Sequence, residues 1–215
     1  VTSATRGVTM VPTRGAAPVL GTNPLAFAAP AKRHPPFVLD MATTTTAAGK
    51  VKVYDLNDRQ LPAGWVLDAK GQPVTDPKQG FDIVFNQPEG GLSPLGGSPE
   101  MASAKGYGLA MMVHILGGTL VGSSFSPIRN RTQKPGDPDD IGHFFMAIDP
   151  SLFRDNDDFQ KDVAQFCGDL RATTPIDPSK PVMVAGDPQW AYAKKRMEDG
   201  IPVGPGRGSG AGSLV

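Results

Sequence analysis

The chain has 215 residues, long enough for one domain or two small ones and for burial of about two-thirds of the surface its unfolded form exposes. Lysine plus arginine (21) balance aspartate plus glutamate (21), so no basic field marks a DNA or RNA footprint and nucleic acid is not an expected partner. No uninterrupted apolar run approaches the ~18 residues of a membrane helix, and Val1-Thr2-Ser3-Ala4 lacks a signal-peptide pattern, so the expected protein is soluble and cytoplasmic, with no membrane partner.

Thr2 to Val11 alternates like a strand already in progress, and the first residue is not methionine; both suggest a missing upstream portion. Two turns follow, Pro12-Thr13-Arg14-Gly15 and Gly21-Thr22-Asn23-Pro24, with residues that fix or tolerate unusual dihedrals. Leu25 to Ala29 and Phe37 to Asp40 read as short strands, and Thr43 to about Leu56 as a helix. Leu61 to Asp68 and Gly71 to Pro77 read as loop and hairpin pieces, and Gln87 to Ala104 as a flexible connection rich in Gly, Pro and Ser. Lys105 opens a second helix, apolar nearly all round, whose glycines allow close packing. Arg129 to Asp140 reads as a polar loop, Ile141 to Ile148 as a strand, and Pro150 to Leu170 as mostly helix. Val182 to Ala185 reads as a final strand, Gly186 to Gln189 as a turn, and Trp190 to Asp199 as a helix that Gly200 stops. Strands mixed irregularly with a few helices give an α/β class without a regular βαβ repeat.

The segment Phe37 to Lys50 is the most informative locally. An apolar run ends at the Asp40 carboxylate, four threonines follow (Thr43 to Thr46), and Gly49-Lys50 closes the segment. Two readings are open here. Asp40 or Thr43 caps an ordinary strand-to-helix turn, or the exposed amides of a helix start bind an anion such as a pyrophosphate.

Other motifs are weaker. The phosphate-loop pattern is absent, and the one Gly-x-Gly-x-x-Ala match, Gly206 to Ala211, sits in a Gly/Ser-rich tail with no strand before it. Any dinucleotide site is therefore not of the Rossmann kind. Cys167 is the single cysteine and reads as the apolar face of a helix. His114 reads as a hydrogen-bonded core residue and His34 as surface. His143 follows Asp137, Asp139 and Asp140, which either ligate a divalent metal or simply face water; no second compact ligand pair supports the metal, and none is expected. Asn130-Arg131-Thr132 matches the glycosylation pattern without a secretion signal.

Several segments, in order, resemble the malate/L-lactate dehydrogenase family of type 2, which also includes ureidoglycolate, sulfolactate and diketogulonate enzymes. They are Gly21 to Pro30, Asp40 to Thr43, Gly49-Lys50, Leu61 to Trp65 with Thr75 to Pro77, Pro94 to Gly97, Lys105 to Ala110, Gly142 to Phe145 and Gly200 to Pro202. The resemblance implies a mixed-sheet, non-Rossmann α/β fold that binds NAD or NADP and moves hydride to or from a small 2-hydroxy or 2-oxo acid. It implies cofactor contacts at Asp40, Met41, Ala42 and Thr43, at Ala104 and Lys105, and at Gly186 and Asp187, with Thr22 and Arg6 as further contacts.

The resemblance also places the family's acid/base histidine upstream of Val1, so the catalytic residue is unknown here and neither His114 nor His143 fills the gap. The family forms homodimers, so the expected partners are a second copy or the missing N-terminal segment. Residues 1–203 are expected to form the NAD(P)-binding core and residues 204–215 a flexible tail. The alternatives are a noncatalytic fragment or binding module of the same fold and, more distantly, a metal-dependent hydrolase.

Overall fold

The computed structural model describes residues 2–3, 8–123, 134, 136–138 and 140–202. Arg6, Asp139, the glycosylation pattern at 130–132 and the Gly/Ser-rich tail lie outside them. The described residues form two compact units: residues 1–26 with 40–146, and residues 27–39 with 147–215. Strands β2 (Leu25–Ala29) and β3 (Phe37–Met41) each carry the chain across the division.

In the first unit, β1 (Thr2–Ser3) pairs antiparallel with β2 through Thr2 and Leu25, and with β7 (His143–Phe144) on its other side. Among the described residues the strand order is β3-β2-β1-β7. A second sheet has the order β5-β4-β6, built from β4 (Val66–Leu67), β5 (Pro73–Val74) and β6 (Gly91–Leu92), with antiparallel pairs. Helices α1 (Ala48–Leu56) and α2 (Pro77–Phe85) pack on each other. Between helices and small sheet lies a core of Val51, Leu61, Val66, Val74, Ile83, Val84 and Leu92. Burying each such side chain contributes about 1.5–3 kcal/mol relative to exposure. Helix α3 (Ser103–His114) continues into a π-helical turn, Ile115–Thr119, and joins Met10 and Leu20 through Ala110 and Tyr107.

The strands at Leu25 and Phe37 and the first of the two early turns form where the sequence places them, and the loop and hairpin pieces expected over 61–68 and 71–77 include a hairpin closed at Asp68 and Gln72. Gly15 N–H donates to Pro12 O (2.8 Å), and Asp68 and Gln72 close the hairpin with a 2.9 Å bond.

Several elements differ from expectation. The first helix begins at Ala48, not Thr43, because Thr43 and Thr45 spend their N–H groups on Thr22 O and Ser93 O in an extended path that suits β-branched residues. The connection from Gln87 to Ala104 is not flexible throughout: Gly91 to Pro94 are buried, and β6 pairs with β4 within it. Helix α2 was not anticipated, although Asp76 caps it by accepting from Gln79 N–H (2.7 Å) and Pro77 stands in its first turn. Helix α3 is not buried on most faces, since Met111 and Met112 are each 43% exposed. Finally, the strand expected over 141–148 shrinks to β7, and Val182 to Ala185 is extended without being a strand of either sheet.

The second unit contains the turn between β2 and β3, a 3-10 turn (Pro150–Leu152), α4 (Asn156–Arg171) and α5 (Asp187–Asp199). Asp155 caps α4 by accepting from Asp158 N–H at 3.0 Å, and two carboxylates in the first turn with Arg171 in the last complement its dipole. Cys167 is buried on that helix, as its apolar setting suggests. Helix α5 begins three residues earlier than Trp190 and ends before Gly200. No helix of the described residues is long and apolar enough to cross a membrane.

Candidate dinucleotide site

The threonine segment is held from both sides within the first unit. On one side, Thr43 N–H donates to Thr22 O (2.9 Å), while the fully buried Thr43 hydroxyl lies 3.0 Å from both Thr22 O and Asn23 O. On the other, Leu95 N–H donates to Thr43 O (2.9 Å), Thr45 N–H to Ser93 O (3.0 Å), and the Thr45 hydroxyl to Pro94 O (2.8 Å). Ser93 in turn donates its hydroxyl to Thr45 Oγ1 at 2.8 Å. The threonines therefore do not cap a helix: α1 has Ala47 at its N-cap with no side-chain bond. Their hydroxyls bind carbonyls that would otherwise be stranded in a buried place.

Helix α3 completes this arrangement. Gly106 in its first turn lies against the Leu95 backbone, so closely that a Cβ there would sit 2.2 Å from Leu95 O and 2.4 Å from Leu95 N. Asn23 Nδ2 donates to Ala110 O (3.0 Å), and Thr13 Oγ1 lies 3.0 Å from Ser103 Oγ. Hydrogen bonds thus run from Thr22 through Thr43 to Leu95, and close packing of the Leu95 backbone on Gly106 continues the contact to the start of α3, where Ala104 and Lys105 are exposed. Asp40 is exposed at the end of β3, and Met41 and Ala42 are half-buried beside Thr43 in sequence.

The first turns of α1 and α3 share a chemistry. Neither has an acidic residue or a side-chain cap, and each carries an exposed lysine, Lys50 in one and Lys105 in the other. Helix starts without carboxylates and with ammonium groups suit an anion, which is what the pyrophosphate of a dinucleotide presents. The hydroxyl of Thr46 is buried with no partner at the residue preceding the α1 cap. The donor set of this unit fits the phosphate-bearing part of NAD or NADP.

Gly186 and Asp187 belong to the second unit. Gly186, the N-cap of α5, has φ 103°, and a side chain there would stand 3.4 Å from Val38 N. Val38 N–H donates to Ala185 O (3.3 Å), so the start of α5 lies on β3. The Asp187 carboxylate is engaged: its two oxygens accept from Arg171 at 2.8 and 2.9 Å, and one also accepts from Val184 N–H at 3.0 Å. Arg171 holds its carboxyl below the usual carboxylate range. Within this unit Asp187 anchors the helix start by its side chain, while its own N–H donates to Val184 O (3.1 Å).

Sequence reasoning missed Ser93, Leu95 and Arg171. Pro94 to Gly97 is among the segments of the family resemblance, but its burial depends on partners some fifty residues away. Arg171 carries no local signal beyond a cation at a helix end. His114 is half-buried at the end of α3, and burial lowers its basicity, as a core reading expects. His143 is exposed, with its ring 6.2 Å from that of Phe145. Among the described residues, no three His, Cys, Asp or Glu side chains gather closely enough to hold a metal ion.

Known proteins resemble this chain over most of its length. Malate dehydrogenase of Pyrococcus horikoshii is 35% identical over 195 residues, covering 90% of this chain and 52% of that protein. Ureidoglycolate dehydrogenase (NAD(+)) of Escherichia coli is 32% identical over 195 residues, again 90% of this chain and 52% of the relative. The crystal structure of malate dehydrogenase from Entamoeba histolytica superposes with a TM-score of 0.82 at 31% identity, covering 91% of this chain and 54% of that one. The chain thus spans about half the length of the relatives it matches. With the malate/L-lactate dehydrogenase family matching residues 1–207, the threonine segment and the lysine-bearing start of α3 have their context: the chain belongs to that family.

Proposed function

We propose that these residues form the nicotinamide-binding part of an NAD- or NADP-dependent oxidoreductase that transfers hydride between the cofactor and a small 2-hydroxy or 2-oxo acid. The observation that carries the reading is the run of hydrogen bonds from Thr22 through Thr43 to Leu95, packed against the start of α3 that bears Lys105, in a chain whose family is that of the malate/L-lactate dehydrogenases. When bound, the nicotinamide supplies the hydride acceptor or donor. The chain's own part is to grip and orient. Met41 and Ala42 offer backbone beside Thr43, whose buried bonds hold it still, and Lys105 neutralises phosphate charge at the start of α3.

Hydride transfer to a 2-oxo acid also needs a proton donor at the carbonyl oxygen and a cation for the carboxylate. Both are taken to come from a histidine-bearing segment outside the described residues or from a second copy. The test is titration with NADH and with NADPH while following the fluorescence of Trp65 and Trp190. A saturable change with one of them is expected; folded protein that responds to neither removes the cofactor claim. Oxidation of malate, lactate or ureidoglycolate is then measured with the relative-length protein, and its absence for all small 2-hydroxy acids overturns the substrate class.

A further inference from the structure

The second unit carries a basic cavity that the dinucleotide reading does not use. Its volume is about 530 Å³, and it is lined by the turn Lys32-Arg33-His34 and by one face of α4. That face comprises Lys161, Ala164, Gln165 and Gly168, spaced at the intervals that bring residues to one side of a helix. Ala164 and Gly168 have too little side chain to fill the space between turn and helix, so the hollow follows directly from the sequence.

The turn is fixed to the helix at two points. Lys32 N–H donates to Gln160 O (3.1 Å), and the Lys32 ammonium pairs with the Asp157 carboxylate. Asp157 also accepts from Lys161 (2.9 Å), which in addition contacts Asp158 (3.1 Å). Gripped by two ammonium groups, Asp157 keeps its carboxyl down at about 2, so it stays ionised and holds Lys32 and Lys161 side by side. Gln165 turns its amide N–H toward Asp169 (2.7 Å). Arg33 is exposed and has no ion-pair partner among the described residues, and its φ of 59° is a left-handed conformation unfavourable for a residue with a Cβ. Three cations, Lys32, Arg33 and Lys161, therefore line the hollow with no carboxylate among its lining residues, and Arg33 is the one without an ion-pair partner among the described residues.

We propose that this cavity binds a small phosphate monoester, with the phosphate held by Arg33 against the Lys32 and Lys161 ammonium groups and the organic body in the hollow over Ala164 and Gly168. A planar guanidinium matches phosphate oxygens in a bidentate manner, and the volume lies in the range of small-molecule sites. The site shares no residue with the cofactor grip and does not rest on that reading.

Calorimetric titration of the 215-residue chain with glycerol phosphate and with inorganic phosphate at low ionic strength tests it. Saturable one-to-one binding is expected, weakened about tenfold or more in Arg33→Glu. Lys180→Glu makes the same charge change outside the cavity and is expected to leave binding unaltered. Tighter binding of glycerol phosphate than of inorganic phosphate supports the ester; equal affinity overturns it in favour of the free anion. No saturable heat with either, or equal weakening by both substitutions, overturns the site altogether. NADH and NADPH fluorescence titrations of Arg33→Glu, expected to match the parent chain, keep this outcome separate from that of the cofactor reading.

Discussion

Substituting alanine for Gly106 tests whether the closeness of α3 to the Leu95 backbone holds the candidate site together. A methyl group there would meet Leu95 O at 2.2 Å, Leu95 N at 2.4 Å and Leu95 Cα at 2.7 Å. These are backbone atoms and cannot rotate aside, so α3 or the 93–95 segment must move by about 1 Å or more to restore ordinary contact near 3.4–4 Å. Overpacking of this kind costs about 1–3 kcal/mol, and the rigidity of the obstacle argues for the upper half. Alanine regains roughly 1 kcal/mol of helix propensity, leaving a net loss of about 1–2 kcal/mol. For a chain of this size that lowers the melting temperature by roughly 2–8 °C. Gly108, two residues on in the same helix, supplies the control, because a Cβ there meets nothing within 4 Å. Gly108→Ala is expected to stabilise by about 0.4–1 kcal/mol. Thermal unfolding followed by circular dichroism separates the two signs, and nicotinamide titration of the Gly106 variant reports whether Thr43, bonded to Leu95, moves with it. Equal melting temperatures for the two variants would refute the argument from close approach.

Three further outcomes follow from the bonds around the site. Thr43→Val keeps the shape but removes the buried hydroxyl shared by Thr22 O and Asn23 O; urea unfolding is expected to show a loss of about 1–3 kcal/mol. Lys105→Ala, at an exposed position, should leave melting unchanged while weakening NAD(P)H binding about tenfold and flattening its salt dependence, read by the same fluorescence titration. The Asp187 carboxyl is held below its ordinary value, first by Arg171, so its stabilising contribution is complete above that ordinary value and is lost as pH falls through the lower folded value. Asp187→Asn should therefore cost about 1.5–3 kcal/mol near neutrality, a gap that narrows in acid; a gap independent of pH would contradict the ion-pair account.

Local chemistry in the sequence was enough for some parts of the fold and not for others. The Leu25 and Phe37 strands, the hairpin at 68–72 and the helices ending at Arg171 and Asp199 follow from alternation, turn residues and caps that act within a few positions. The threonine segment does not. Thr, Ala, Gly and Lys in succession read as a capped helix start, and only the carbonyls of Thr22 and Ser93, more than twenty and nearly fifty residues away in sequence, decide that it stays extended. The 87–104 connection misleads for the converse reason: its glycines and prolines look like a loose linker, yet they permit the buried turns that bring Pro94 and Leu95 to Thr43. Lys105 stood out by charge and position, whereas Gly106 shows its purpose only when Leu95 is seen beside it.

The core drawn from Val51 to Leu92 has a consequence for the order in which the chain acquires structure. All its members lie within one continuous stretch, so they can meet as soon as that stretch has left the ribosome, across short loops. The second unit must instead bring Lys32 to Asp157, a separation of 125 residues. Closing that larger loop adds about 0.6 kcal/mol of entropy cost for each doubling of length, and it waits for most of the chain to be made. Synthesis would thus produce a core of the first unit well before its neighbour exists. In pulse-labelled hydrogen exchange, amides between Val51 and Leu92 should gain protection ahead of Lys32 and Val38.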